Sequence, residues 1–394
     1  MTFLSLPLRT EEVGVHTTSD DMAQAAATAA GEVQCEHCGQ QFRYDESRRC
    51  WMCDSLVCPF CMNEPPGELC PECLAQASTL PEAIEPMLGK TGLLPESSEG
   101  WAFEFKWDGV RAITIWDGQR LRIESRNRLD MTFRYPELHN LGPSLGLNAI
   151  LDGEIVALDE QGQPSFSKLQ QRMHVEKPSS LRIRLGVPIR YYIFDLLHLN
   201  GVTLLDRPYE QRRDLLDRLA LRHAFCRVPP SYRGEGQDIL NVAREHGLEG
   251  IMCKRLASPY LPGRRTGDWR KVKTVNSREF IIGGFKYGKD RRDRIGSLQL
   301  GAYDADLRLR FVGSTGTGFS GLDHEILLRR LEPIRVPHNV FEAEIERRDV
   351  VFVAPRYVAE VEYRRWPEGG LIRQAAYKGL RIDILASDVL LEEP

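Results

Sequence analysis

Lys106 opens the run Lys106-Trp107-Asp108-Gly109-Val110-Arg111, placed where one strand-like segment passes to the next. A lysine amine attacks phosphorus only after losing its proton, so cationic neighbours and partial burial suit a lysine to that work. Gly109 would let the backbone pass close to a nucleotide, and Arg111 is suited to ribose or phosphate oxygens. Farther along, Leu151-Asp152-Gly153-Glu154 ends in a carboxylate inside an apolar strand, and the segment Glu249 to Lys254 offers a second carboxylate. Two carboxylates can hold a hard divalent cation against phosphate oxygens. In Trp269-Arg270-Lys271-Val272-Lys273 the two lysines share one strand face, because side chains alternate, and would neutralise charge growing on a phosphate. Taken singly, these are ordinary salt-bridge partners and a solvated strand edge. Together they are hard to dismiss.

A second chemistry sits near the N-terminus. Cys35 and Cys38, Cys50 and Cys53, Cys58 and Cys61, and Cys70 and Cys73 form four Cys-x-x-Cys pairs, enough for two tetrathiolate zinc sites. A disulfide framework would need an oxidising compartment that nothing else in the chain suggests. Few large apolar residues accompany the pairs, so metal must replace a missing core.

The elements that must position these residues follow from pattern. Residues 1–30 read as a flexible tail in which Met22 to Ala30 is a candidate short helix, residues 31–76 as the cysteine module, and residues 80–276 as an α+β domain on antiparallel sheet. Its strands are expected at Trp101 to Lys106, Val110 to Trp116, Leu121 to Ser125, Ala149 to Leu158, Arg190 to Leu197, Gly250 to Arg255 and Trp269 to Thr274. Tyr209 to Leu221 and Gln237 to His246 read as helices, the second capped by Gly247. Residues 277–394 carry five strand signals and one helix, Asp323 to Leu331, which fits a small Greek-key barrel such as the OB-fold.

These motifs, in this order, resemble the covalent nucleotidyltransferase superfamily of ATP-dependent ligases and capping enzymes, and most of all the bacterial end-joining DNA ligases. The likeness runs from Pro86-Met87 to the C-terminus and includes Tyr192 to Leu197 and Ala376 to Asp383. It implies that Lys106 takes AMP from ATP, that AMP passes to a 5′-phosphate, and that a 3′-hydroxyl displaces it. It implies a catalytic set of Lys106, Asp108, Lys271 and Lys273. Phe194 and Met252 would sandwich adenine, Glu104 would sit beside it, and Arg111 would hold ribose. Arg126 would grip the 5′-phosphate of a nick, and Arg381 of the last motif would join the nucleotide site. Glu154 and Glu249 would serve Mg²⁺ or Mn²⁺ and sugar. Two departures stand out: Ile384 replaces the lysine that usually ends the last motif, and Ser314 stands where a barrel loop often carries lysine.

The cysteine module is similar to cross-brace fingers of the FYVE and RING kind, in which alternate pairs share a zinc, with two successive ribbons as the other arrangement. Its acids, among them Glu36, Asp45, Glu46, Asp54, Glu64, Glu68 and Glu72, argue against lipid binding, so a protein-docking or break-sensing role toward repair proteins is expected.

The sequence carries 52 basic and 56 acidic side chains, a net charge of −4. Residues 1–80 hold 4 of the basic and 12 of the acidic ones, leaving 48 against 44, or +4, for the rest. DNA, nicked or broken, is therefore expected on the body. The stretch Lys286 to Arg294 is a candidate contact for its backbone. No apolar run approaches the roughly 18 residues that span a bilayer, and no secretory signal is visible, so a cytoplasmic, nucleoid-associated enzyme is expected. An RNA or mixed-substrate ligase and a catalytically weak break-binding scaffold are the alternatives.

Overall fold

The computed structural model describes residues 31–50, 52–62, 69–75, 80–173, 186–343, 345, 349–367 and 370–391. The expected tail, with its candidate helix Met22 to Ala30, and Trp51, Glu64 and Glu68 lie outside the described residues. The chain divides into two compact units, Met1–Thr79 with Asn200–Val202, and Leu80–Leu199 with Thr203–Pro394.

In the first unit, strands Glu32–Gln34 and Gln41–Arg43 pair antiparallel, as do Arg48–Arg49 and Leu56–Val57. A single helical turn, Pro71–Ala75, follows. Among the described residues of this segment the buried ones are mostly thiols, joined by the larger apolar side chains Met52, Val57 and Leu69. So small an apolar set cannot offset the entropy of ordering the segment.

Among the described residues the second unit contains three sheets. Its elements are β1 (Leu88–Thr91), β2 (Trp101–Lys106), β3 (Val110–Trp116), β4 (Leu121–Glu124), α1 (Leu141–Leu145), β5 (Ala149–Ala157), α2 (Phe166–Met173), β6 (Ile189–Leu199), α3 (Tyr209–Arg218), β7 (Cys226–Arg227), α4 (Gly236–Glu245), β8 (Gly250–Arg255) and β9 (Arg265–Lys273). There follow β10 (Ser277–Gly288), β11 (Arg291–Tyr303), β12 (Leu309–Thr315), α5 (Gly321–Leu331), β13 (Val351–Phe352), β14 (Val358–Glu362) and β15 (Ala376–Arg381). One sheet contains β6, β5, β3 and β4 in that order, and a second runs β1–β9–β8–β2.

These two sheets enclose a shared core. Ile113, Ile115, Ile150, Phe194 and Leu197 from the first meet Trp269 of the second, with Ile84, Met87 and Tyr260 packed among them. Because both faces of β2 are covered, its first five residues are all buried, and Lys106 at its end is the first to reach open space. The sheets are antiparallel as expected except at two places, since β7 runs parallel to β6 and β1 parallel to β9. Both parallel partners are short edge strands that long connections bring back to the sheet, a pairing that periodicity cannot reveal.

The third sheet, β12–β11–β10–β14–β15 with β13 beside β10, curls around its own apolar core of Phe280, Phe285, Leu300, Val358 and Leu380 among others. Its edges meet where the Tyr377 amide donates to the Thr317 carbonyl at 2.9 Å. Helix α5 starts from a capping box, with Ser320 Oγ accepting from the Asp323 amide and Asp323 accepting from the Ser320 amide. This is the expected small barrel with one strand more than the five anticipated, because Ala376–Arg381 is a strand. Helix α2 is also absent from the sequence reading. Its Gln170 donates to the Lys378 carbonyl of β15 at 3.2 Å, joining the two-sheet region to the barrel.

Candidate active site

A cleft opens between the ends of the two sheets and is walled by the barrel. Its lining includes Glu104, Lys106, Asp108, Gly109, Arg111, Arg126, Glu154, Phe194, Met252, Lys271, Lys273 and Arg381, drawn from β2, β3, β5, β6, β8, β9 and β15 and their connections. Lys106 ends β2, and the register of β2 with β8 sets it opposite Gly250. Glu249 immediately precedes that glycine, and its carboxylate binds Lys106 Nζ. The other carboxylate oxygen lies 2.9 Å from Lys273 Nζ, which donates its hydrogen bonds to Oγ and O of Ser277 at 2.7 and 2.9 Å. Burial would raise the Glu249 carboxyl, but Lys106 and Lys273 together hold it down at about 2. Gly250 is required by close approach: a Cβ there would stand 2.1 Å from the Val272 carbonyl oxygen.

Lys271 lies two residues before Lys273, on the same face of β9. Among the described residues its ammonium makes no hydrogen bond or ion pair, and burial lowers it to about 8, helped by Lys273 and Lys106 and opposed by Glu279. Glu154 is its counterpart in the opposite sense. Burial raises its carboxyl to about 8 against the pull of Arg111, Lys106 and Arg381, and among the described residues it has no hydrogen-bonded partner. A half-buried carboxylate and a half-buried amine that lack partners among the described residues are groups prepared for a ligand.

Arg111 is held rather than free. Its Nε and Nη2 each stand 2.5 Å from the Asp152 carboxylate, which also accepts from Tyr260 at 2.7 Å. The guanidinium lies 4.8 Å from the centre of the Phe194 ring. Phe194 comes from one sheet and Met252 from the other, so both reach the cleft from opposite layers. The Glu104 carboxylate is committed to Tyr209 and, at 2.8 Å, to Lys254, so it has no free face for a base. Asp108 is pushed up to about 7 by burial and by Glu360 and Glu249 nearby.

From the barrel, Arg381 enters the cleft with Asp383 bound to it through both oxygens at 2.9 and 2.7 Å and with Glu360 at 2.9 Å. The Asn127 amide of the two-sheet region donates to the Asp383 carbonyl at 2.7 Å, and the Arg381 guanidinium lies 5.0 Å from the Phe166 ring centre. Arg126 stands 3.9 Å from Asp388.

In the first unit, the eight thiols form two groups: Cys35, Cys38, Cys58 and Cys61, and Cys50, Cys53, Cys70 and Cys73. The pairs therefore interleave, first with third and second with fourth. Sulfur pairs at 3.9 Å (Cys38–Cys58) and 3.7 Å (Cys53–Cys70) match the roughly 3.8 Å edge of a tetrahedron with 2.3 Å metal–sulfur bonds.

Comparison with known proteins decides the family. Residues 74–273 match the model described as ATP dependent DNA ligase domain, and residues 291–384 match ATP dependent DNA ligase C terminal region. The chain belongs to the ATP-dependent DNA ligase family. It is 36% identical over 315 residues to the multifunctional non-homologous end joining DNA repair protein LigD of Mycobacterium tuberculosis, covering 78% of this chain and 40% of that protein. It is 34% identical to DNA ligase C1 of Mycolicibacterium smegmatis, over 67% of this chain and 77% of that one. A solved mycobacterial DNA ligase D complexed with ATP and MES aligns at 35% identity and a TM-score of 0.59, covering 78% of this chain and 98% of that one. The chain spans about 40% of the length of the LigD proteins it matches.

The chain brings every expected nucleotide-site side chain to one cleft except Glu249, whose two oxygens are each on a lysine, Lys106 and Lys273. The sequence reading missed Lys254, 1% exposed beneath the Phe194 and Trp269 rings, and Glu279 of β10. Alternation along β8 was the available signal for Lys254, which shares a face with Met252. Among the described residues no helix is long and apolar enough to cross a membrane.

Proposed function

We propose that this ligase seals 5′-phosphate/3′-hydroxyl breaks in DNA through an AMP carried on Lys106, and that it does so in end joining. The observation that carries the reading is the convergence of Lys106, Lys273 and the unpartnered Lys271 on the cleft, with Glu249 outside it bridging the first two. Lys106 attacks the α-phosphate of ATP once its proton has gone. Glu249 orients Lys106 and Lys273 together, and Lys271 neutralises charge growing on the phosphate. Phe194 and Met252 supply flat and polarisable faces for adenine. Arg111, fixed by Asp152, directs its remaining donors at ribose, and Asp108 and Arg381 complete the wall.

The donor set fits a divalent cation, since Glu154 is a half-buried carboxylate lining the cleft with no described partner. When bound, Mg²⁺ or Mn²⁺ would shield phosphate charge there. The two thiol groups fit one structural Zn²⁺ each, and their order supports the cross-brace arrangement. Residues 80–276 then form the adenylation domain and 277–394 the OB domain. Cytoplasmic placement, with repair proteins docking on the zinc module, is part of the same reading.

Incubation with α-labelled ATP and Mg²⁺ or Mn²⁺ tests it. Covalent label that is lost in Lys106→Ala supports the proposal, and an AMP-free, folded protein that takes no label leaves only a break-binding scaffold. Sealing of nicked DNA beside matched RNA-containing strands tests the sugar preference.

A further inference from the structure

The nucleotide reading uses one aromatic face of the cleft, that of Phe194. A second stands beside Lys106. Trp107 follows that lysine directly and lines the cleft, and its ring stacks on Tyr192 with centres 3.9 Å apart and planes 15° off parallel. Phe105 meets the Trp107 ring edge-on, with centres 6.2 Å apart. The indole N–H is buried and finds no acceptor among the described residues, which packing alone leaves unexplained.

Register sets this pair at the rim. Arg111 lies opposite Glu154, Glu154 opposite Tyr192, and Tyr192 opposite Arg227, so one row crosses β3, β5, β6 and β7 on a single face. Along β6, Ile189, Tyr191 and Ile193 are buried, while Arg190 and Tyr192 alternate with them and are half-buried. The bulge after Ile193 takes Phe194 out of that register, so the two aromatic residues stand at different places.

The outer end of the row is cationic. Burial raises the Tyr192 phenol, and the charges that oppose the rise are Arg190 and Arg227. Arg190 is held by the Ala224 carbonyl, and Arg227, exposed at the sheet edge, donates to the carbonyls of His223 and Cys226 at 2.8 and 2.7 Å. Burial lowers the Arg190 guanidinium, and Arg227 lowers it further. Two guanidiniums fixed close enough to repel favour an anion between them.

An aromatic stack flanked by guanidiniums suits a nucleic-acid base together with its phosphate. The reading above gives the adenine of ATP to Phe194 and Met252, so a further base must belong to the DNA. Trp107 adjoins the adenylated residue, and a base that reaches it comes from one of the two nucleotides being joined. We propose that Trp107 and Tyr192 form a platform for one base at the DNA break, with Arg190 and Arg227 taking the adjoining phosphate. This inference rests on the reading of Lys106 given above.

The test uses the full chain carrying labelled AMP on Lys106, with rates taken per labelled molecule so that a variant that charges slowly still reports. Nicked duplexes are sealed under single-turnover conditions, one intact, one lacking the base of the 3′-hydroxyl nucleotide, and one lacking the base of the 5′-phosphate nucleotide. Native protein is expected to slow roughly five- to a hundredfold on one of the abasic nicks, the value of one base–aromatic stack. Trp107→Ala and Tyr192→Ala should seal the intact nick at about that reduced rate and lose no more when the same base is missing. The abasic position that shows the effect names the strand. Trp107→Phe, which keeps an aromatic face, should recover most of the rate. Trp107→Leu, which keeps apolar bulk alone, should not, so this pair carries the test if an alanine variant fails to fold. An abasic penalty of equal size in native and variant proteins overturns the proposal, as does native sealing indifferent to both bases. A chain that never acquires label on Lys106 would count against the preceding reading instead.

Discussion

Lys106, which lines the cleft, and Glu249, which does not, are 143 residues apart in the chain and form an ion pair. The pair exists because β2 and β8 are neighbours in one sheet, with Lys106 opposite Gly250. Removing the Glu249 charge leaves Lys106 and Lys273 without their shared counter-charge, at side-chain exposures of 20% and 9%. Glu249→Gln is expected to lower lysyl-AMP formation by about a hundredfold, because both lysines lose their aim. It should also cost about 3 kcal/mol of stability, as breaking a buried pair does. Labelling and urea unfolding of the same preparation check the two parts.

The second prediction concerns Gly379 of β15. A Cβ there would stand 2.3 Å from Gln170 Nε2 and 2.5 Å from the Phe166 ring, so the barrel could not approach α2 as closely. That approach carries Arg381 and Asp383 into the cleft wall. A duplex end, being far wider than the cleft, has to reach the adenylate with this wall displaced. Gly379→Ala should therefore slow charging of Lys106 by roughly tenfold or more, in line with the 1–3 kcal/mol of overpacking, and spare sealing of a pre-adenylated nick. Equal damage to both steps would refute this division of labour.

Glu154 gives the ligase a pH signature. Its carboxyl titrates near 8 in the folded protein, raised by burial, and near its ordinary value when unfolded. Between those values the native state holds the extra proton, so stability must fall as pH rises through the interval. Unfolding midpoints of nucleotide-free protein should fall across it in the native protein and lose that component in Glu154→Gln. Added Mg²⁺ should restore the native protein at the alkaline end and leave the variant unmoved.

Metal removal should divide the molecule. A strong zinc chelator is expected to unfold the unit before residue 80 and release two zinc ions, while the nucleotide-binding body keeps its melting transition. Thiol titration offers a direct count. Eight cysteines should become reactive on chelation while Cys226 and Cys253, both fully buried in the body, stay protected.

The candidate site was legible in the sequence because it lies in short contiguous motifs whose residue types suit phosphoryl chemistry and thiolate metal binding. Lys106, Glu154, Lys271 and Lys273 were legible as a set in a fixed order, and the cysteine pairs by their spacing. The central strands were equally readable, with β2, β3 and β8 falling where alternation and apolar runs put them. Tertiary structure alone decided what depends on register and long-range approach. It paired Glu249 with Lys106 instead of Glu154, and it committed the Glu104 carboxylate to Lys254 and Tyr209. It interleaved the cysteine pairs, and it brought β15 against α2 through the gap left by Gly379. Local sequence fixes which face a side chain takes. The partner across that face is set by folding free energy summed over the whole domain, which no single segment encodes.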